Sequence, residues 1–210
     1  MKIFVIGASG RVGSKIVADL KVAGHEVSGS YNNASKNNDG LIKLDLHNSV
    51  EVNREKLRGY DVVYFAAGSG GGDMIQVDLY GAIKMMQIAK EVNVKRFVQI
   101  SSAAVGAIFH DDWYQGPHGD YLNYNTIKYI SDEWLQQNTG LEYTIIRPGV
   151  LVDEPGSGKV TFDIQHRSYN SIENVAQVAA QVIDYPNTIN KIITMGDGSM
   201  DIKEALNKIN

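Results

Sequence analysis

The sequence predicts an α/β fold built on a doubly wound parallel sheet, and three observations carry the prediction. Short β-branched runs alternate along the chain with longer segments of helical period, the pattern that strand-helix-strand units leave in a sequence. The first such run, Lys2–Ile6, passes through a glycine-rich turn straight into an amphipathic segment. The third is composition: 210 residues, 43% apolar, with 21 Gly, 4 Pro and no Cys, belong to one globular domain rather than to a disordered, fibrous or disulfide-stapled chain. A domain of this length buries roughly 70% of its unfolded surface, so its core needs neither metal nor crosslink.

The expected strands are Lys2–Ile6, Glu26–Ser30, Leu41–Lys43, Asp61–Ala66, Arg96–Ile100, Glu142–Ile146 and Lys191–Met195. Between the first two, Val12, Ile16 and Leu20 recur at i, i+4 and i+8, and Ile75, Leu79, Ile83 and Met86 do much the same further on, so each segment offers one apolar stripe to a sheet. Further helices are expected at Val50–Leu57 behind the Asn48-Ser49 cap signal, at Tyr121–Gln137, at Glu173–Asp184 behind Ser171, and at Ile202–Asn207. Residues 106–119 and 149–170 have no clear period and read as loops on the substrate side of a single 1–210 domain. Gly68-Ser69-Gly70-Gly71-Gly72 is a loop within that domain.

Charge and composition remove several function classes. With 20 Lys plus Arg against 24 Asp plus Glu, the net charge is -4 and no basic cluster is dense enough for a phosphate backbone, so nucleic acid is not an expected partner. The absence of Cys excludes thiolate nucleophiles and cysteine zinc sites. His110, Asp111, Asp112, His118 and Asp120 could offer imidazole and carboxylate to a divalent ion, but their irregular loop spacing favours a polar substrate-side loop, with Trp113 or Tyr114 supplying a contact, and no metal is expected. A Ser-His-Asp hydrolase is disfavoured because no G-x-S-x-G elbow occurs. The apolar run before Gly7 is too short for a signal-peptide core or a membrane span, which gives a cytoplasmic protein with no membrane partner as the expectation.

The most informative segment is the first turn, Gly7, Ala8, Ser9, Gly10, Arg11, Val12 and Gly13. Glycine there allows backbone angles closed to other residues, a second glycine lets a pyrophosphate approach the main chain, and the N–H groups opening the helix favour its negative charge. The G-x-x-G-x-x-G spacing departs from the G-x-G-x-x-G fingerprint, and it is the strand-turn-helix context that turns it into a dinucleotide signal.

Further motifs fall at the carboxyl ends of the expected strands: Leu44-Asp45-Leu46 after the third, Ala66-Ala67-Gly68 after the fourth, Ser101-Ser102 after the fifth and Arg147-Pro148-Gly149 after the sixth, with Tyr124-x-x-x-Lys128 downstream of the serines. Over nearly its whole length the chain resembles the atypical short-chain dehydrogenases/reductases, NAD(P)-binding Rossmann proteins, and in particular their NmrA-like and flavin/biliverdin-reductase-like branches. The resemblance implies a small substrate-side extension at the carboxyl end of the sheet. It also implies that Asp45 accepts from the adenine amino group beside the Leu46 backbone, that Ala66, Ala67 and Gly68 leave room for a ribose, and that Pro148 and Val150 border the nicotinamide. By the residues alone, Asp45 also suits a turn or cap, Ala-Ala-Gly suits tight packing, and Pro148 suits a kinked strand exit.

The chemistry rests on Tyr124 and Lys128. A chain with 11 Tyr is expected to hold a Tyr-x-x-x-Lys spacing by chance, and this one holds two, Tyr80/Lys84 and Tyr124/Lys128. Position separates them, because the family pair sits on the helix after the fifth strand. Residues four apart share a helix face, so the Lys128 ammonium would stabilise a Tyr124 phenolate and reach the nicotinamide ribose. A tyrosine at the ordinary pKa of about 10 is a poor proton shuttle at neutral pH, which is why the mechanism requires a neighbouring cation. Ser102 aligns best with the serine that orients the acceptor carbonyl, with Ser101 as fallback and Tyr121 as a competing aromatic.

This leads to an NAD(P)H-dependent oxidoreductase that passes hydride to a small carbonyl, flavin or quinone-like acceptor. The alternatives are an NAD(P)-sensing regulator whose 106–119 loop signals to a protein partner, and a nucleotide-sugar epimerase or dehydratase, for which 210 residues leave little room. NADP(H) is favoured over NAD(H) because Ser28–Lys36, at the end of the second strand, holds no Asp or Glu to repel a 2′-phosphate. Asn32 stands where NADP-binding relatives commonly carry Arg, so cationic contact falls to Arg11 and Lys36.

Overall fold

A computed structural model describes residues 1–32, 40–109, 119–165 and 167–210, with backbone alone at 107 and 119–121. The first half consists of β1 (Lys2–Ile6), α1 (Arg11–Val22), β2 (Glu26–Tyr31), β3 (Ile42–Lys43), α2 (Val50–Leu57), β4 (Val62–Phe65), a π-helical segment (Met74–Gly81), α3 (Ala82–Glu91) and β5 (Arg96–Ile100). A 3-10 segment (Ala103–Phe109) then leads towards α4 (Gly119–Asn138), β6 (Glu142–Pro148), β7 (Val150–Val152), β8 (Lys159–Phe162), β9 (Tyr169–Ser171), α5 (Ile172–Gln181), β10 (Lys191–Asp197), β11 (Met200–Asp201) and α6 (Ile202–Asn207).

Among the described residues the main sheet runs β11-β8-β10-β6-β5-β4-β1-β2-β3. Every pairing from β3 to β10 is parallel, and β8 is antiparallel both to β10 and to β11. The chain steps outward from β1 to β2 and β3, then returns to the other side of β1 for β4, β5 and β6. That reversal opens a crevice at the carboxyl ends of β1 and β4, where a Rossmann sheet takes its dinucleotide.

Alternation along the central strands builds both faces. Ile3 and Val5 of β1, with Val62 and Tyr64 of β4, enter one core with Ile16 and Leu20 of α1 and with Val175 and Val178 of α5. Phe4, Ile6, Val63 and Phe65 point the other way, to Leu57 of α2, Met85 and Ile88 of α3 and Leu135 of α4. Burial on both faces is why these strands read as unbroken apolar runs.

Two expectations need correction. The 149–170 segment is not loop throughout: it holds β7 and β8 and leads into β9, with β7 paired in parallel to β9 and β8 paired antiparallel to β10. These strands have three or four residues each, below the length at which a period shows, and their pairing is long-range. In the 106–119 segment, residues 106–109 belong to the 3-10 segment, while 110–118 lie outside the described residues. The second correction concerns Ile75, which is 57% exposed. The first part of its helix is π-helical, which breaks the assumed 3.6-residue period, so Met86 is buried as expected but is joined by Ala82, Met85, Ile88 and Ala89.

At the opposite, amino end of the strands, Arg96 Nη2 donates to Thr144 Oγ1 and Thr188 Oγ1, both at 2.6 Å, and pins the chain after α5 to the sheet. A cavity of about 420 Å³ lies there, lined by Met1, Val62, Arg96 and Tyr185 among others, and it contains none of the motif residues.

Candidate functional site

The glycine turn is built by backbone contact. Gly7 has φ +85°, and a Cβ there would lie 2.7 Å from Ala67 Cα, so the turn rests directly on the exit of β4 and the small residues Ala66 and Ala67 serve that contact. A Cβ at Gly13 would lie 2.2 Å from the Gly7 carbonyl oxygen. The Gly7 amide donates to Ser30 Oγ at 3.0 Å, tying the turn to β2.

Gly10 differs from both. It caps α1 with φ -80° and ψ 170°, angles open to any residue, and its Cβ would meet only the Gly7 oxygen, at 3.1 Å. As the N-cap it makes no side-chain bond to the first turn. The Gly10 amide is itself used within the turn, donating to the Gly7 carbonyl at 2.9 Å, and with no side chain at the cap the start of α1 is left open to the approach of an anion. Val12 turns its side chain into the core, and Arg11 stays outside, its Nη1 3.0 Å from Asp153 Oδ2.

On the adenosine side, Asp45 Oδ1 accepts from the His47 amide at 2.9 Å and lies 2.8 Å from His47 Nδ1, while His47 Nε2 lies 2.7 Å from Asp73 Oδ2. The turn carrying Asp45 and Leu46 is braced from beneath, where Lys84 Nζ donates to the Leu46 and Asn48 carbonyls. Lys84 is buried in that bracing, which gives the Tyr80/Lys84 spacing a structural role. Asn32 is exposed at the end of β2, and Lys36 lies outside the described residues. After β4, Gly68 leaves its Cβ position 3.2 Å from Asp78 Oδ1, and Asp78 also accepts from the Ser69 amide.

The two carboxylates hold the His47 imidazole above its ordinary range, Asp45 more than Asp73, and the Asp45 carboxyl lies below its own, chiefly through the His47 amide. A raised histidine contributes stability that is fully present below about pH 6.5 and is lost as pH rises through its folded value. The Asp45 contribution is present above about pH 3.9 and lost as pH falls through its lowered value. The stability of wild type relative to His47→Gln is thus expected to peak between about pH 4 and 6.5 and to fade above, as thermal melts across that range would record.

The residues proposed for chemistry meet where β5 faces α4. Lys128 is 4% exposed, donates to the Ile100 carbonyl at 3.3 Å and sits 5.7 Å from the centroid of the Tyr124 ring. Ser102 Oγ donates to Asn125 Oδ1 at 3.1 Å and accepts from the Ala104 amide at 3.2 Å. Ser101, the fallback, is committed elsewhere: it is buried and donates to Asp132 Oδ2 at 2.8 Å. The Tyr121 side chain lies outside the described residues, as do His110, Asp111, Asp112, Trp113, Tyr114 and His118 and the side chain of Asp120. Pro148 is buried at the end of β6, and Val150 follows it 39% exposed.

Sequence reasoning missed the polar network behind this site. Asp132 is fully buried one turn beyond Lys128, and it accepts from Gln99 Nε2 at 2.6 Å and Arg147 Nε at 2.8 Å as well as from Ser101. Burial pushes its carboxyl up, and the Arg147 guanidinium opposes the shift. The available signal was the i+4 position of Asp132 after Lys128, on the face already assigned to the site. Asp132→Asn would leave the largely buried Arg147 charge without its counterion and is expected to cost about 3 kcal/mol of stability, readable as a lower denaturation midpoint at unchanged slope.

A family model described as NAD(P)H-binding matches residues 7–186. The chain belongs to this NAD(P)H-binding family. Its place among the atypical short-chain dehydrogenases/reductases, inferred above from motifs, agrees with the match. An uncharacterized sugar epimerase of Bacillus subtilis is 32% identical, covering all of both chains. A protein of Saccharomyces cerevisiae is 30% identical over all of this chain and 99% of its own. The crystal structure of an oxidoreductase from Lactococcus lactis superimposes with a TM-score of 0.89 at 31% identity, covering 100% of this chain and 96% of that one. Among the described residues no helix is long and apolar enough to cross a membrane, and no group of three or more potential metal ligands occurs.

Proposed function

We propose that this family member is an NAD(P)H-dependent oxidoreductase acting on a small carbonyl, flavin or quinone-like acceptor. The observation that carries the reading is the Lys128 ammonium beside the Tyr124 ring, with Ser102 bonded to the adjoining Asn125, at the carboxyl edge of the sheet that also holds the glycine turn. The start of α1, capped by a glycine with no side chain, fits a pyrophosphate, and the small Ala66 and Ala67 fit a ribose lying against β4. The dinucleotide, when bound, supplies the hydride. Tyr124 donates the proton at its hydroxyl, Lys128 stabilises the phenolate left behind, and Ser102 orients the acceptor oxygen, using the hydroxyl that it now turns to Asn125. Asp45, Leu46, Gly68, Pro148 and Val150 would line the remainder of the dinucleotide site.

NADP(H) is the favoured form, since the described end of β2, Ser28 to Asn32, presents no carboxylate to a 2′-phosphate. The test is oxidation of NADPH and NADH against a panel of carbonyl, flavin and quinone acceptors. Turnover with any of them supports the oxidoreductase; tight dinucleotide binding without turnover supports a sensor. The Bacillus subtilis relative's name favours a second reading, sugar epimerisation, in which Tyr124 and Lys128 would again move the proton. Conversion of nucleotide sugars without net cofactor oxidation would select it.

A further inference from the structure

Arg11 is the first residue of α1, and it is the sole cation in the glycine turn and the end of β2, residues 7–13 and 28–32. Its guanidinium is engaged by a distant carboxylate: the 3.0 Å contact with Asp153 joins residues 142 positions apart and reaches the segment after β7. The first turn of α1 contains no acidic residue of its own, so the carboxylate beside Arg11 comes from that distant segment. A second strap runs alongside. Lys15 Nζ lies 2.9 Å from Glu173 Oε1, and Glu173 Oε2 accepts from the Gly156 amide at 2.8 Å, so residues 153–156 are held against the first two turns of α1.

We propose that Asp153 is a specificity-determining residue for the dinucleotide: by neutralising Arg11 it reduces the advantage of a 2′-phosphorylated dinucleotide over an unphosphorylated one. The inference rests on the NAD(P)H reading above and adds to it the residue that tunes the choice. A 2′-phosphate is recognised by cations and a 2′-hydroxyl by a carboxylate. Here the end of β2 offers no carboxylate, and Asp153, from the segment after β7, acts on the cation instead. The Arg11 and Asp153 side chains are 60% and 73% exposed, so water and salt screen the pair, and an incoming phosphate exchanges for Asp153 at low cost. Asp153 thus weakens phosphate recognition without abolishing it, and its influence passes through Arg11.

The test measures dissociation constants of NADP⁺ and NAD⁺ by calorimetry, at low and high salt, for wild type, Asp153→Asn, Arg11→Gln and the double variant. Asp153→Asn is expected to tighten NADP⁺ about fivefold at low salt and NAD⁺ by under about twofold, the range set by an exposed ion pair. The gain should shrink at high salt and vanish in the Arg11→Gln background. An unchanged affinity ratio in Asp153→Asn, or the same gain without Arg11, overturns the proposal. Failure of wild type to bind either dinucleotide overturns the cofactor reading itself, an outcome distinct from the other two.

Discussion

Gly10→Val is expected to weaken dinucleotide binding by about 100-fold or more while leaving the fold intact. Its backbone angles, φ -80° and ψ 170°, suit valine, and the added Cβ has one close neighbour, the Gly7 oxygen at 3.1 Å. The stability cost should stay near 1 kcal/mol, the usual loss on placing a branched residue at an N-cap. The space that the side chain fills is instead that which a pyrophosphate needs to reach the main chain. Gly13→Ala is the control, because its Cβ would sit 2.2 Å from a backbone oxygen and the damage should appear as loss of fold. Calorimetry for affinity and circular dichroism for folding separate the two. Unchanged affinity in a folded Gly10→Val protein would make the turn purely structural.

Tyr124→Phe should lower turnover about 100-fold or more with little change in dinucleotide affinity, the range expected on removing a positioned proton donor. The substitution is conservative in this setting. Phenylalanine keeps the ring that faces Lys128 at 5.7 Å and removes only the hydroxyl. Steady-state rates alongside a binding titration would show the loss in kcat and not in Kd. Near-normal rates would assign the proton to solvent, as with a flavin or quinone acceptor that needs no protein acid.

Local signals made much of the fold legible. β1, α2, β5 and α6 begin and end where the sequence places them, and α2, α5 and α6 start behind Ser49, Ser171 and Asp201, whose side chains cap them. β7, β8 and β9 escaped because they are held by partners far along the chain: Val150 opposes Tyr169, and Met195 opposes Phe162. The site follows the same division. Gly7, Gly10, Gly13, Ser102, Tyr124 and Lys128 were visible because each belongs to a compact motif. Asp132 was not, since its importance comes from Gln99 on β5, Ser101 just after it and Arg147 on β6, which only the fold assembles around it. Asp153 is likewise an unremarkable acid until the fold brings it to Arg11.

The close backbone seat of the glycine turn also bears on the thermodynamics of association. With Gly7 against Ala67 and Gly13 against the Gly7 oxygen, the main chain there has almost no alternative conformations to surrender when a ligand arrives. The ordering entropy that a flexible phosphate loop would lose on binding has been lost already, during folding. Recognition at this end of the groove therefore approaches that of a rigid template, and differences in affinity between dinucleotides should appear mainly in how slowly each departs.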